Sequence, residues 1–277
     1  MPQQLAPDLG ALLLATRRAH PTWGPRKLLA YLARRHTRVH WPAASTVGEL
    51  LKREGLSVPR RRRPPLGHPG RPTSPMEAPN TVWTADFKGP FKTRNGRYCY
   101  PLTVIDGDSR YLLACQGLCG VRHAESRPVL EHLFHTAGLP ERIRTENGVP
   151  FATSALGRLS QLSVWRSKLG ITPELIEPTP LQQNGRHERL HKTLKAEATK
   201  PPAHSARGQQ RQLHAFQRTF NEERPHEVLG GDAPASYYHR SARSYPARLS
   251  DREYPAHFEV RYVSRNGGVR WRNRWVT

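Results

Sequence analysis

The spacing of apolar residues divides the chain into helical and strand-like segments. Before residue 57 apolar residues recur every three or four positions, as in Leu28, Leu29 and Leu32, which predicts short helices. Strand-like and helical patterns then alternate. The strand-like runs are 81–89, 98–109, 110–118, 142–148 and 171–177, and the helical runs are 127–138, 154–170 and 185–198. A hairpin followed by such alternation predicts an α/β fold, with a mixed sheet and helices on its faces.

The pattern changes again towards the end of the chain. The segment 209–226 predicts an amphipathic helix with Leu213, Phe216 and Phe220 on one side. From about residue 250 arginines alternate with aromatic and branched residues, which predicts a β-hairpin around residues 266–268. We therefore expect five regions. They are a helix-turn-helix at 1–58, a basic Pro/Arg-rich linker at 59–80, the α/β core at 81–200, a helical extension at 201–245 and a short β module at 246–277.

The charge is strongly positive and unevenly distributed. The chain has 44 Lys and Arg against 22 Asp and Glu, a net charge of +22, which favours a polyanion as partner. Residues 1–75 hold 14 basic and 3 acidic residues, so half of the net charge lies in about a quarter of the chain. This distribution favours a DNA-binding front end over a basic protein held on ribosomes or acidic membranes.

Two basic segments are candidates for DNA contact. Four consecutive arginines, Arg60, Arg61, Arg62 and Arg63, lie in the proline-rich linker and can follow a phosphate backbone. The helical segment at 45–55 ends with Lys52 and Arg53, and in a helix-turn-helix a basic second helix enters the major groove. The alternative interpretation of residues 1–58 is a plain helical adaptor.

The composition also limits where the protein acts. No apolar run reaches the roughly 18 residues that a membrane span needs, and no basic residue precedes the short apolar run at the N-terminus. The three cysteines lack the spacing of a disulfide framework. We expect a soluble, cytoplasmic protein without a membrane partner.

Three carboxylates occupy unusual places in this basic chain. Asp86 lies in an apolar strand, Glu146 ends a strand just before an Asn-Gly turn, and Glu188 shares a helix face with Lys192 and Lys195. Carboxylates brought together need cations, and Mg²⁺ takes oxygen ligands and is shared with phosphates. Two such ions can clamp the oxygens of a phosphoryl transfer. Each residue also has a structural interpretation: a hydrogen-bonded strand Asp, a turn residue, and a helical ion pair with Lys192.

Other polar and aromatic residues nearby are expected to be structural. His187 and His191 flank Glu188, and we interpret them as solvated helix residues rather than as groups that contact DNA or water. Trp83 and Trp165 are expected in the core.

At these residues the chain resembles the integrase-type DDE transposases of bacterial insertion sequences, which are relatives of retroviral integrases. The motifs are "WTADFKG", "RIRTENGVPF", "PLQQNGRHERLHKTLKAE" and "FNEERPHEVLGGDAPASYY", and the resemblance covers about residues 20–245. It implies a ribonuclease-H-like core with a mixed five-stranded sheet and flanking helices. A helix-turn-helix would precede this core, and an incomplete small β-barrel-like module would follow it.

The resemblance also implies a function. The chain would be a DNA strand-transfer enzyme with two Mg²⁺ or Mn²⁺ ions, Asp86 bridging both and Glu146 and Glu188 each binding mainly one. Lys192 and Lys195 would contact the DNA end. The partners would be insertion-element ends and target DNA in the nucleoid, and joining two ends implies a homodimer or a higher oligomer.

The chain departs from the family pattern in three ways. The second acid is Glu146, where the family has Asp in a pattern like R-S-D-N-G. The extra methylene displaces the carboxylate, and a misplacement of about 1 Å can cost on the order of 10²-fold in rate. The chain also begins after the first of two helix-turn-helix units that such proteins often carry, and its β module is short. These departures suggest a decayed, truncated or altered copy.

Two other functions therefore stay open. One is a non-catalytic DNA-binding protein that regulates related elements. The other is a ribonuclease-H-like nuclease that acts on hybrids or structured DNA.

Overall fold

The computed structural model describes residues 6–57, 74–146, 148–152, 160–175 and 185–249, and near the C-terminus 256–257, 259–261, 264, 268–272 and 274–276. The chain divides into two units, residues 1–245 and 246–277, and each is described by itself. The arginines at 60–63 and the first part of the helix expected at 154–170 lie outside the described residues.

Three helices open the first unit: α1 (Pro7–Ala19), α2 (Pro25–Arg35) and α3 (Ala44–Arg53). They enclose a small apolar core in which Leu13, Trp23, Leu28 and Val47 are almost fully buried. Proline at the start of α1 and of α2 suits the first helical turn, where an N–H has no partner within the helix. The basic residues Lys52 and Arg53 lie in the last turn of α3 and are exposed.

The central sheet has six strands: β1 (Val82–Phe87), β2 (Phe91–Lys92), β3 (Tyr98–Asp106), β4 (Leu112–Leu118), β5 (Arg142–Thr145) and β6 (Thr172–Leu175). Strand β3 pairs with both β1 and β4, and its first two residues also pair with the short strand β2. On the other side of β1 the order continues with β5 and then β6. Strand β1 runs antiparallel to β3 and parallel to β5, and β5 runs parallel to β6. The mixed sheet is therefore confirmed, and β1 lies near its centre.

The sheet has one strand more than the five expected. A tight turn at 93–97, closed by a hydrogen bond from Thr93 N to Arg97 O, folds the two-residue strand β2 back onto β3. Gly96 has φ +82° in this turn, a conformation that glycine adopts without strain. The extra strand is a local hairpin and does not change the topology of the other five.

Helices cover both faces of the sheet. Helices α4 (His123–Ala137) and α5 (Gln161–Lys168) pack on one face, where Phe134 contacts Trp83 and Trp165 at ring-centroid distances of 6.1 and 5.3 Å. Helices α6 (Gly185–Ala198) and α7 (Ala206–Arg218) pack on the other face, where Leu190, Leu194, Leu213 and Phe216 share a core with β3 and β4. The expectation that Trp83 and Trp165 belong to the core is confirmed.

Amide side chains from α7 and the segment after it form hydrogen bonds with main-chain groups at the outer edge of β4. Asn221 accepts from the main-chain N of Leu112 at 2.8 Å and donates to its O at 3.0 Å. Gln210 makes the same pair of contacts with Gly117 N and Cys115 O. These side chains take the place of a neighbouring strand, so the edge of the sheet is not left open to pairing with another chain.

The second unit contains one short described hairpin, β7 (Val269–Trp271) and β8 (Arg274–Val276). The chain turns after Trp271, where Arg272 has φ +44°. A hydrogen bond from Ser264 N to Gly268 O spans the expected turn at 266–268, and the hairpin around that turn stays a prediction. Residues 265–267 lie outside the described residues, and 259–261 are described without strand structure. The alternation of arginine and large apolar residues indicated strands correctly, but a period of two cannot say which run pairs with which.

Candidate active site

A buried carboxylate stands at the centre of the sheet. Asp86 is the fifth residue of β1 and is only 5% exposed. Successive strand residues point to opposite faces, so Thr84 and Asp86 share the face that α6 covers, while Trp83 and Ala85 face α4 and α5. On the neighbouring strand β3, Thr103 lies directly opposite Asp86. The prediction that Asp86 is a buried strand carboxylate is confirmed.

Helix α6 places two histidines against this face. His187 and His191 are one helical turn apart, on the same side as the buried Leu190 and Leu194. His187 Nε2 lies 2.8 Å from Thr84 Oγ1. His191 Nε2 lies 2.9 Å from Thr103 Oγ1, and His191 Nδ1 lies 3.8 Å from Asp86 Oδ2.

The expectation that these histidines are solvated is wrong. His187 is 2% exposed, and only 16% of the His191 side chain is exposed. Burial lowers the pKa of His187 to about 3, with a smaller lowering from His191. Burial lowers the pKa of His191 to about 4, and the nearby charge of Lys88 lowers it further. Both rings are therefore neutral near pH 7 and offer nitrogen lone pairs.

Asp86, His187 and His191 form a possible metal-binding group. One ligand atom from each residue lies within 4.8 Å of the ligand atoms of the other two. Among the described residues, no other group of three or more Asp, Glu, His or Cys side chains is as close together. A carboxylate with neutral imidazoles is a donor set that divalent metals accept. These residues therefore fit a divalent cation at Asp86.

Glu146 is the residue directly after β5, which is the strand next to β1 and its Asp86. The last paired residues of the parallel strands β1 and β5 are Ala85 and Thr145. Asp86 is the next residue on β1, and Glu146 is the first residue after β5. Glu146 is exposed. Each acid therefore follows the last registered pair of these two neighbouring strands.

Glu188 lies on the exposed side of α6, three residues before His191 and therefore beside it on the helix surface. Lys192 and Lys195 are exposed further along the same helix. A common cation pocket formed by the carboxylates of Asp86, Glu146 and Glu188 remains a prediction, and so do the DNA contacts of Lys192, Lys195, Lys52 and Arg53.

One lysine that the sequence interpretation did not single out also belongs to this region. Lys88 lies two residues after Asp86, and burial lowers its pKa, followed by the charge of Lys195. Its charge also acts on His191. The positive charges of Lys88 and Lys195 therefore lie close enough to repel each other.

A buried ion pair supports the strand next to the site. Arg144 Nε donates to Glu174 Oε2 at 3.0 Å, across neighbouring positions of β5 and β6. The Arg144 guanidinium also donates to the main-chain O of Ser74, and the Ser74 hydroxyl donates to the other oxygen of Glu174. Arg144 lies beside Thr84 in the register, so the pair occupies the same face as Asp86. It anchors the end of the linker to the sheet beside the candidate site.

Comparisons with known proteins agree with this architecture. Residues 169–234 match the family model described as an integrase core domain. The uncharacterized 31.7 kDa protein of insertion element IS407 from Burkholderia multivorans is 27% identical over 257 residues, which cover 88% of this chain and 86% of that protein. The uncharacterized 39.2 kDa protein of insertion element IS476 from Xanthomonas euvesicatoria is 26% identical over 242 residues, which cover 86% of this chain and 66% of that protein. Residues 169–234 are therefore similar to integrase core domains, and most of the chain is similar to proteins of bacterial insertion elements.

The fold agrees as well. A chain of the simian T-cell lymphotropic virus intasome, solved by cryo-electron microscopy in complex with PP2A regulatory subunit B56 gamma, superimposes with a TM-score of 0.51 at 16% identity. The match covers 91% of this chain and 82% of that chain. The chain thus has the ribonuclease-H-like fold that was expected. No helix in its described part is both long and apolar enough to cross a membrane.

Proposed function

We propose that this chain is a transposase that cleaves DNA at the end of an insertion element and joins the freed 3′-hydroxyl to target DNA. The observation that carries the proposal is Asp86, a buried carboxylate on the central strand of an integrase core, with neutral His191 beside it. An isolated buried charge is expensive, so a carboxylate in this place needs a cation or a dense set of donors. The family match at 169–234 supports the same chemistry.

Each residue has a separate task in this proposal. Asp86, Glu146 and Glu188 would hold two divalent ions, Mg²⁺ or Mn²⁺. Divalent ions in such a site polarise phosphoryl oxygens and offset the charge that develops during transfer. Lys192 and Lys195 bind the phosphates that flank the reacting bond, and Lys52, Arg53 and the arginines at 60–63 hold the more distant duplex. Joining two element ends requires at least a homodimer.

The test is a strand-transfer assay with a labelled duplex that carries the element end, in Mg²⁺ or Mn²⁺. We expect metal-dependent joining that Asp86→Asn abolishes, because the amide keeps the shape of the side chain but loses its charge. Glu141→Gln is the matched control, since Glu141 is exposed and lies just before β5. Equal joining by the wild type and Asp86→Asn would refute the proposal.

Glu146 favours a second candidate, a DNA-binding protein that has kept the fold and lost the chemistry. In the transposase proposal Glu146→Asp withdraws the carboxylate by one methylene and raises the joining rate, on the order of 10- to 100-fold. If neither form joins DNA while both bind the element end, the regulatory function is supported. Cleavage of hybrids or structured DNA without any joining would instead support a ribonuclease-H-like nuclease.

A further inference from the structure

The hydroxyl group of Thr103 links Asp86 to both histidines of α6. Thr103 Oγ1 donates to the main-chain O of Asp86 at 3.1 Å. The same oxygen lies 2.9 Å from His191 Nε2 and 3.4 Å from His187 Nδ1. While the single hydroxyl proton of Thr103 is donated to the main-chain O of Asp86, the Thr103 oxygen can only accept from the histidines.

This network assigns the tautomer of His191. Its Nε2 must carry the proton that Thr103 accepts, so the lone pair of the neutral ring is on Nδ1. That nitrogen is the one that lies 3.8 Å from Asp86 Oδ2. A lone pair directed towards a carboxylate oxygen is favourable when a cation lies between them. Metal-binding histidines generally use one nitrogen for the metal and donate the other N–H to an oxygen, as His191 does to Thr103.

The distance is compatible with a shared cation. Two ligand atoms each about 2.1 Å from a metal are about 3.0 Å apart at a right angle and about 3.6 Å apart at 120°. The separation of 3.8 Å therefore needs a contraction of about 0.2 Å at 120° and about 0.8 Å at a right angle. His187 is different, because both of its ring nitrogens already face threonine hydroxyls, at 2.8 and 3.4 Å. It packs behind the pair and orients it.

We propose that Nδ1 of His191 is a nitrogen ligand of the cation that Asp86 binds, and that this ligand makes the site favour Zn²⁺ over Mg²⁺. Mg²⁺ prefers oxygen ligands, whereas imidazole suits Zn²⁺ and its neighbours late in the first transition series. The inference rests on the proposed function only in placing a cation at Asp86. It gives the site a metal preference that three carboxylates alone would not have.

The first measurement detects the nitrogen directly. The full chain without DNA is titrated with Mn²⁺, and electron spin echo spectra are recorded on the bound ion. We expect a nitrogen coupling in the wild type that is lost in His191→Phe, which keeps a ring of similar shape without nitrogen. His214→Phe is the matched control, because His214 is exposed on α7. A coupling that persists in His191→Phe, or the absence of both coupling and bound Mn²⁺ in the wild type, overturns the proposal.

The second measurement is calorimetric titration with ZnCl₂, MnCl₂ and MgCl₂. We expect His191→Phe to weaken Zn²⁺ binding on the order of 10- to 100-fold and Mg²⁺ binding by less than about 3-fold. Equal losses for the two metals, or none for Zn²⁺, contradict a nitrogen ligand. If His191→Phe does not fold, the wild type labelled with ¹⁵N-histidine provides the test, since the coupling must then change to that of ¹⁵N.

These results are independent of strand transfer. A chain that binds Mn²⁺ through histidine but joins no DNA supports this inference and refutes the proposed function. A chain that joins DNA ends with only oxygen ligands on the metal does the reverse.

Discussion

A buried arginine offers the sharpest test of how this core is stabilised. Arg166, in α5, is 0% exposed. Its Nε, Nη1 and Nη2 atoms have no hydrogen-bond partner among the described residues. The ring of Phe151 lies 5.8 Å from the guanidinium carbon. A charged group that is buried without a partner is costly, so Arg166 should weaken the fold that contains it.

The size of this cost follows from the pKa. Burial lowers the pKa of Arg166 from 12.5 to about 10. One unit corresponds to about 1.4 kcal/mol, so keeping the guanidinium charged in the folded state costs about 3 kcal/mol. At pH 7 the group is charged in both states, because the pH is below both pKa values. The full penalty is therefore present at pH 7, and it decreases only as the pH rises through about 10.

Replacing Arg166 by methionine should remove this penalty while keeping a long, flexible side chain. We expect Arg166→Met to raise the free energy of unfolding by about 1–3 kcal/mol, less than the full penalty because the ring contact with Phe151 is lost. The corresponding rise in Tm is about 2–8 °C for a unit of this size. Urea and thermal denaturation followed by circular dichroism measure both quantities.

The control uses the same helix. Lys168→Met removes the same charge from an exposed position of α5 and should change the free energy of unfolding by less than about 0.5 kcal/mol. If Arg166→Met destabilises the chain by more than about 1 kcal/mol, the guanidinium has a stabilising partner and the reasoning is wrong.

Three further predictions concern the edge strand, acid stability and DNA binding. Asn221→Ala leaves the main-chain N of Leu112 without its side-chain acceptor, while the main-chain O keeps the Gln217 amide as a donor. The variant should cost about 1–3 kcal/mol in urea denaturation, and a loss below about 0.5 kcal/mol would mean that water replaces the amide. Burial lowers the pKa of His226 to about 3, so its folded pKa lies below the unfolded value of 6.5. The contribution of His226 to the free energy of unfolding should then be constant above about pH 6.5 and fall at lower pH, by at most about 1.4 kcal/mol per pH unit. In His226→Leu the free energy of unfolding should fall less between pH 6.5 and 4.5 than in the wild type. The same fall in both would exclude this cause. Lys195→Ala should reduce the slope of log affinity for DNA against log salt by about 1 in fluorescence anisotropy titrations, whereas Lys168→Ala should not; equal slopes for both variants would remove Lys195 from the DNA contacts.

The sequence supports the secondary structure well where the periodicity is strong. The strands around Asp86 and Glu146 and the helix that contains Glu188 occur as predicted, because apolar residues repeat with a period that only one element satisfies. The short strand β2 was not predicted, since two residues are too few to show a period. The pairing of 269–271 with 274–276 was not predicted, because alternation identifies strands and not their partners.

The sequence was less informative about the histidines of the site. His187 and His191 lie at a helical spacing that also fits an inward face with Leu190 and Leu194, and this was the available signal. Because the helix is rich in Lys and Arg, an exposed position of both histidines was the simpler interpretation. Only the packing of α6 on β1 and β3 decides which face is buried. For the same reason, the proximity of Lys88 to Lys195 could not be read from residues more than 100 positions apart.

The sequence by itself determined the charge, the order of strands and helices, and the candidate carboxylates, because these depend on residue type and local spacing. The tertiary structure decided which of these groups meet. Parallel pairing of β1 with β5 places the ends of these two strands next to each other, and the packing of α6 directs a neutral imidazole at Asp86. Such encounters depend on the register and packing of segments that are far apart in the chain, which no local pattern encodes.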